Sequence, residues 1–115
     1  MKVKAIYDEI GGNYQNILQR VFSDDNIIML LSMLLEDDSY AKFMKCMEQE
    51  NYAQATDEIH GLKGICGNLS IDSLYDISVD ILSALRAGDV EHAKRRQGEL
   101  TACYEKVITK AKEII

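Results

Sequence analysis

Apolar residues recur along this chain at spacings of three and four, and no run alternates apolar with polar in the manner of a strand. The pattern predicts a short helix over roughly 3–10, stopped by Gly11-Gly12, and a second over 14–22. Ser23 or Asp24 can cap a third segment over 24–49, where Ile27, Ile28, Leu31, Leu34 and Leu35 keep helical spacing. Glu36-Asp37-Asp38 interrupts that segment before Tyr40, Phe43, Met44 and Met47 resume the period, so one bent helix and two helices both fit. Further helices are expected over 52–68, over 71–87 with Ser70 as cap, and over 89–115 with Asp89 as cap. In the last, Val90, Ala93, Leu100, Tyr104, Val107, Ile108, Ala111 and Ile115 form one stripe broken only by Gln97.

Links of one to three residues cannot carry the chain from one end of a long helix to the other, so consecutive helices must run antiparallel. The expected fold is therefore all-α: an antiparallel up-and-down four-helix bundle with short additional helices at the N-terminus. At 115 residues the chain is expected to be one domain, 1–115. The absence of proline removes the commonest helix breaker. The longest apolar run, Ile27 to Leu35, is far short of the roughly 20 residues that cross a bilayer, and no charged-then-apolar leader opens the sequence. A cytoplasmic protein that does not enter membranes is expected, and the opening methionine favours a free protein over a piece of a larger kinase.

Charge narrows the partners. A formal net charge of −6 repels nucleic acid and acidic lipid, which leaves protein partners, and no long heptad seam argues against a monomer. Cys46, Cys66 and Cys103 form an odd set without CxxC spacing, each among apolar positions, and read as reduced structural thiols.

The helix over 52–68 carries the chemistry. With His60 set at zero on a wheel of 100° per residue, Ala55, Ile59, Leu62, Cys66 and Leu69 gather near roughly 220° as its buried stripe. Lys63, Gly64 and Gly67 fall at about 300°, 40° and 340°, on the histidine's own face. Three glycines, Gly61, Gly64 and Gly67, within seven residues are costly, since each loses about 1 kcal/mol of helix stability relative to alanine. Bare backbone one and two turns from an imidazole lets another protein approach the ring, and Lys63 sets a cation beside it. A phosphoryl acceptor needs a nucleophilic nitrogen, open space in line with it and a positive charge. The plain alternative is an exposed helical histidine beside an exposed lysine.

The run His60-Gly-Leu-Lys63-Gly64-Ile-Cys-Gly67-Asn68-Leu69 resembles the H-x-L-K-G-x-x-x-N-L-G signature of histidine-containing phosphotransfer (HPt) domains. The stretch IGGNYQNILQRVF resembles that family's N-terminal segment, and Leu85 to Asp89, LRAGD, its turn before the final helix. The resemblance implies a phosphohistidine carrier of a multistep phosphorelay. His60 is then the phosphorylated residue, Lys63 the charge partner and Gly64 the clearance for a docked receiver domain. Gly67, Asn68, Tyr75, Val79 and Leu82 are expected to frame the docking surface. The implied partners are a response-regulator receiver domain and a sensor or hybrid histidine kinase. No cofactor of its own is expected, with Mg²⁺ held in the partner receiver domain.

Three positions depart from the family pattern. Ser70 stands where glycine is usual, Ile65 where a small residue is common, and Leu82 where an acidic or amide side chain often orients the ring. Without that acceptor the ring's tautomer and angle are left to water or to the partner. On the next helix Leu74, Ile77, Ile81 and Leu85 form the core stripe, with Tyr75, Val79 and Leu82 as a second apolar line that is either wider core or a docking patch.

Elsewhere the residues offer little chemistry. His92, in the first turn of the last helix, reads as an ordinary surface residue, no metal site is expected, and Lys94-Arg95-Arg96 reads as a solvated face. No phosphate loop or kinase-type ATP motif occurs, so the chain is expected to be a carrier and not an enzyme. The alternative is a helical scaffold or inhibitor that binds a kinase or receiver without carrying phosphate. A helical enzyme or cofactor bundle lacks facing carboxylate or histidine pairs.

Overall fold

The computed structural model describes residues 2–115, and every regular element among them is an α-helix. In chain order these are α1 (Lys2–Ile10), α2 (Tyr14–Val21), α3 (Asp24–Glu36), α4 (Ser39–Glu48), α5 (Tyr52–Asn68), α6 (Asp72–Arg86) and α7 (Val90–Lys112). The segment expected over 24–49 is thus two helices, and Asp37 divides them. Its backbone is extended (φ −72°, ψ 139°), and its carboxylate accepts from the Ser39 amide at 2.9 Å, so a local side-chain turn replaces the helical bond. The last helix stops at Lys112, and Ile115 lies beyond it, 56% exposed.

The links after α4, α5 and α6 are one device used three times. Gln49–Glu50–Asn51, Leu69–Ser70–Ile71 and Ala87–Gly88–Asp89 each consist of a C-cap, a left-handed residue and the N-cap of the next helix. The left-handed residues are Glu50 (φ 56°), Ser70 (φ 54°) and Gly88 (φ 77°). In each, the N-cap amide returns to a carbonyl five residues back: Asn51 to Cys46, Ile71 to Cys66 and Asp89 to Ala84, at 2.8–3.0 Å. This is the glycine-type helix stop, with glycine itself at only one of the three sites. Asn51 and Asp89 then cap α5 and α7 with their side chains. Ser70 does not cap α6 as expected. Its left-handed backbone ends α5, and Ile71 occupies the N-cap of α6 without a side-chain hydrogen bond.

These turns hold α4 against α5, α5 against α6 and α6 against α7, the three most extensive pairings. Helices α4 and α7 also meet: the Tyr40 and Tyr104 rings stack at 3.9 Å, and the Tyr40 hydroxyl lies 2.7 Å from Thr101 Oγ1. Phe43, Ile59, Leu62, Leu74, Ile81 and Leu100 fill the shared interior, each fully buried. Cys46 and Cys66 are buried, Cys103 half-buried, and all three are free thiols; burial pushes the Cys66 thiol up.

Candidate functional site: the exposed face of α5

Helix α5 is pinned on one side and open on the other. Ala55, Ile59, Leu62 and Cys66 are fully buried, as their spacing predicts, while His60 on the opposite side is exposed. Lys63, one turn on, is half-buried. Among the described residues no side chain hydrogen-bonds the His60 ring, and Lys63 enters no ion pair.

The three glycines of α5 have three different surroundings. A Cβ on Gly64 would meet nothing within 4 Å, so this position is open space beside the ring. On Gly61 it would stand 3.3 Å from Ser39 Oγ, at the start of α4, and on Gly67 it would stand 3.2 Å from Cε1 of Tyr75. Gly61 therefore serves the approach of α4, and Gly67 the approach of the Tyr75 ring. Of the two glycines expected to clear space for a partner, Gly64 alone is free of packing; the room at Gly67 is partly taken from within the molecule.

Leu82 is core. It is 3% exposed and joins Leu74, Ser78, Ile81 and Ala84 on the buried side of α6, while Ile77 and Leu85 of the expected stripe are half-buried, so the interior stripe is turned toward Ser78 and Leu82 relative to the one the spacing suggested. Tyr75 and Val79 are half-buried, and Asn68 is exposed at the last turn of α5. The strongly exposed apolar side chains lie elsewhere: Phe22 (83%), Met29 and Met33. Met33 and Leu30 of α3 with Ile65 and Asn68 of α5 and its C-cap Leu69 line a cleft of about 310 Å³, rimmed by Glu36 and Asp37. The i, i+4 pair Met29 and Met33, on a helix apolar nearly all round, was the sequence signal for this surface.

His92 is not an isolated surface residue. Its Nε2 lies 2.7 Å from Asp80 Oδ2, and Arg96 Nε approaches the same oxygen at 3.1 Å, as an ion pair without hydrogen-bond alignment. Arg96 continues to Glu99 at 3.2 Å, so one basic residue of the expected solvated run is tied into an α6–α7 link. Among the described residues no three His, Cys, Asp or Glu side chains are placed to hold a metal ion.

No protein-family model matches the chain, and no curated protein or solved structure matches it either. The chemistry must be read from the face itself. It presents one unencumbered imidazole, an ammonium one turn away and bare backbone on the next, which suits a nucleophile that works against a surface brought from outside.

Proposed function

We propose that this chain is a histidine phosphotransfer protein, carrying a phosphoryl group on His60 to or from a receiver-domain aspartate. The observation that carries the reading is the open flank at Gly64 beside an exposed, unbonded His60 ring. The pairing of α4 with α5, α5 with α6, α6 with α7 and α7 with α4 fits the antiparallel four-helix bundle of that reading, except that α4 alone takes the place of the helix expected over 24–49 and α3 joins α1 and α2 as a further N-terminal helix. No helix among the described residues is long and apolar enough to cross a membrane.

In the forward step a ring nitrogen of His60 attacks phosphorus of the receiver's acyl phosphate. The N–P bond forms as the O–P bond breaks, and the aspartate leaves as its carboxylate. The receiver's acidic residues would hold Mg²⁺, which would supply charge neutralisation for the phosphoryl oxygens, and Lys63 offsets their charge from this side. Transfer back reverses each change. The test is incubation of the purified chain with a phosphorylated receiver domain and Mg²⁺. Acid-labile, alkali-stable phosphate on His60 supports the reading; its absence across a panel of receivers and kinases favours the scaffold or inhibitor. That alternative draws on the lack, among the described residues, of an intramolecular acceptor for the His60 ring, since Leu82 supplies none.

Two substitutions follow from the geometry. Lys63→Ala removes the cation one helical turn from His60 and should slow transfer roughly tenfold, the loss of about 1.4 kcal/mol of transition-state stabilisation, with the melting temperature little changed. An unchanged rate would mean that the partner supplies all of the charge compensation. Gly64→Gln sets stability against function. A Cβ here meets no atom within 4 Å, and glutamine is the better helix former, so the fold should gain up to about 1 kcal/mol. Yet it stands where a receiver must pass, so transfer should fall sharply. A thermal melt and a transfer assay on the same preparation decide; a stabilised variant with wild-type transfer removes the docking role of Gly64.

A further inference from the structure

Every backbone carbonyl at the end of α5 is satisfied, and the N-terminal helices supply much of what satisfies them. Cys66 O accepts from the Ile71 amide at 3.0 Å, and Gly67 O from the Ser70 amide at 3.1 Å, both within the turn. The next three look across to α1 and α2. Asn68 O accepts from Arg20 Nη2 at 2.8 Å, Leu69 O from the Tyr7 hydroxyl at 2.7 Å, and Ser70 O from the Asn13 amide at 2.8 Å. The helix that carries His60 is capped from outside itself.

Arg20 is the hub of that cap. The same Nη2 donates to Ser70 Oγ at 2.5 Å and more weakly to Gly67 O at 3.4 Å, while Nε donates to Asn16 Oδ1. Ser70 Oγ donates in turn to Asn16 Oδ1 at 2.6 Å. A guanidinium at a helix C-terminus is favoured by the negative end of the dipole, and its fork suits several oxygens at once. The network also accounts for a serine at a left-handed position where glycine is the cheaper residue, because its hydroxyl is used twice.

We infer that Arg20 is a positioning residue for phosphotransfer, one that sets the last turn of α5 at the docking face without touching the reacting atoms; the inference rests on the phosphocarrier reading above. Asn68, whose carbonyl Arg20 holds, lines the cleft with Ile65 and Leu69, beside the open flank at Gly64. His60 and Lys63 lie one to two turns back along an unbroken helix, so loss of the cap loosens the surface a partner meets while leaving the acceptor group intact. The signature is therefore a change in KM for the partner and not in kcat.

The experiment compares wild type, Arg20→Ala and Arg20→Lys in receiver-to-domain transfer, with amide hydrogen exchange of residues 68–71 and a thermal melt. Arg20→Ala should raise KM about fivefold with kcat within about twofold, and should speed exchange at the Ser70 and Ile71 amides. Arg20→Lys, which reaches one acceptor, should fall between the two. Arg20→Gln, which keeps part of the stem without the charge, replaces the alanine variant if that one does not fold. A folded variant with wild-type KM overturns the inference, and so does a fall confined to kcat, which would place Arg20 in the chemistry. A wild-type chain that takes no phosphate from any donor fails at an earlier point: it removes the phosphocarrier reading and the role of Arg20 with it.

Discussion

His60→Gln should abolish phosphotransfer completely while leaving the melting temperature within about 2 °C of wild type, because an exposed side chain away from packing contributes little to stability. The ring is exposed and accepts or donates no hydrogen bond among the described residues, so its removal opens no cavity and strands no partner. Glutamine keeps a polar amide in its place and is at least as good a helix former. What disappears is the one imidazole on that face among the described residues. The check is phosphate retained after alkali and lost in acid, mapped by mass spectrometry on both proteins. Label persisting in the variant, or moving to His92, would sink the assignment of His60. Movement to His92 is disfavoured on geometry, since its Nε2 already faces Asp80 at 2.7 Å.

Leu82→Gln should destabilise the fold by about 3 kcal/mol or more, a fall of roughly 10 °C or greater in melting temperature for a domain of this size. Leu82 is 3% exposed, so the substitution loses apolar burial and carries an amide into the interior with no partner waiting for it. Leu82→Met, which conserves volume and polarity, should cost less than about 1.5 kcal/mol. Denaturant melts of the two variants give the contrast. The opposite outcome, a well-folded Leu82→Gln that transfers faster than wild type, would mean that the side chain turns toward the His60 ring and supplies the acceptor that the ring lacks.

These two residues mark the boundary of what local pattern reveals. Helical period separated the His60 face of α5 from its buried stripe correctly, since a single helix obeys one geometry and Ala55, Ile59, Leu62 and Cys66 lie on one side of it whatever the neighbours do. The same arithmetic put Leu82 on a second apolar line of α6 and left open whether that line is buried. The answer depends on how far α5 and α7 wrap round α6, a property of three helices together. Likewise Gly61, Gly64 and Gly67 look alike in the chain, and only the approach of Ser39 and Tyr75 makes the first and last packing glycines and leaves Gly64 in open space.

By itself the sequence determined the all-helical class, five of the seven helices to within a few residues, the cap at Asp89, Ser23 as one of two candidate caps, and the company of His60, Lys63 and Gly64 on one face. Each of these rests on contacts within about four residues along the chain, where spacing is distance. Tertiary structure alone decided the split of α3 from α4, the use of Ser70 as a helix stop and not a cap, the link of His92 to Asp80 and Arg96, and the closure of α5 by Tyr7, Asn13 and Arg20. All but the first join or depend on residues distant in the chain, Arg20 and Asn68 being 48 positions apart. The split at Asp37 turns on a carboxylate that either follows the helix or bends back to the Ser39 amide, and the two alternatives have the same local pattern. Periodicity carries no record of which helix end will meet which arginine; that is settled only when the cores pack and bring the carbonyls of one element within reach of the donors of another.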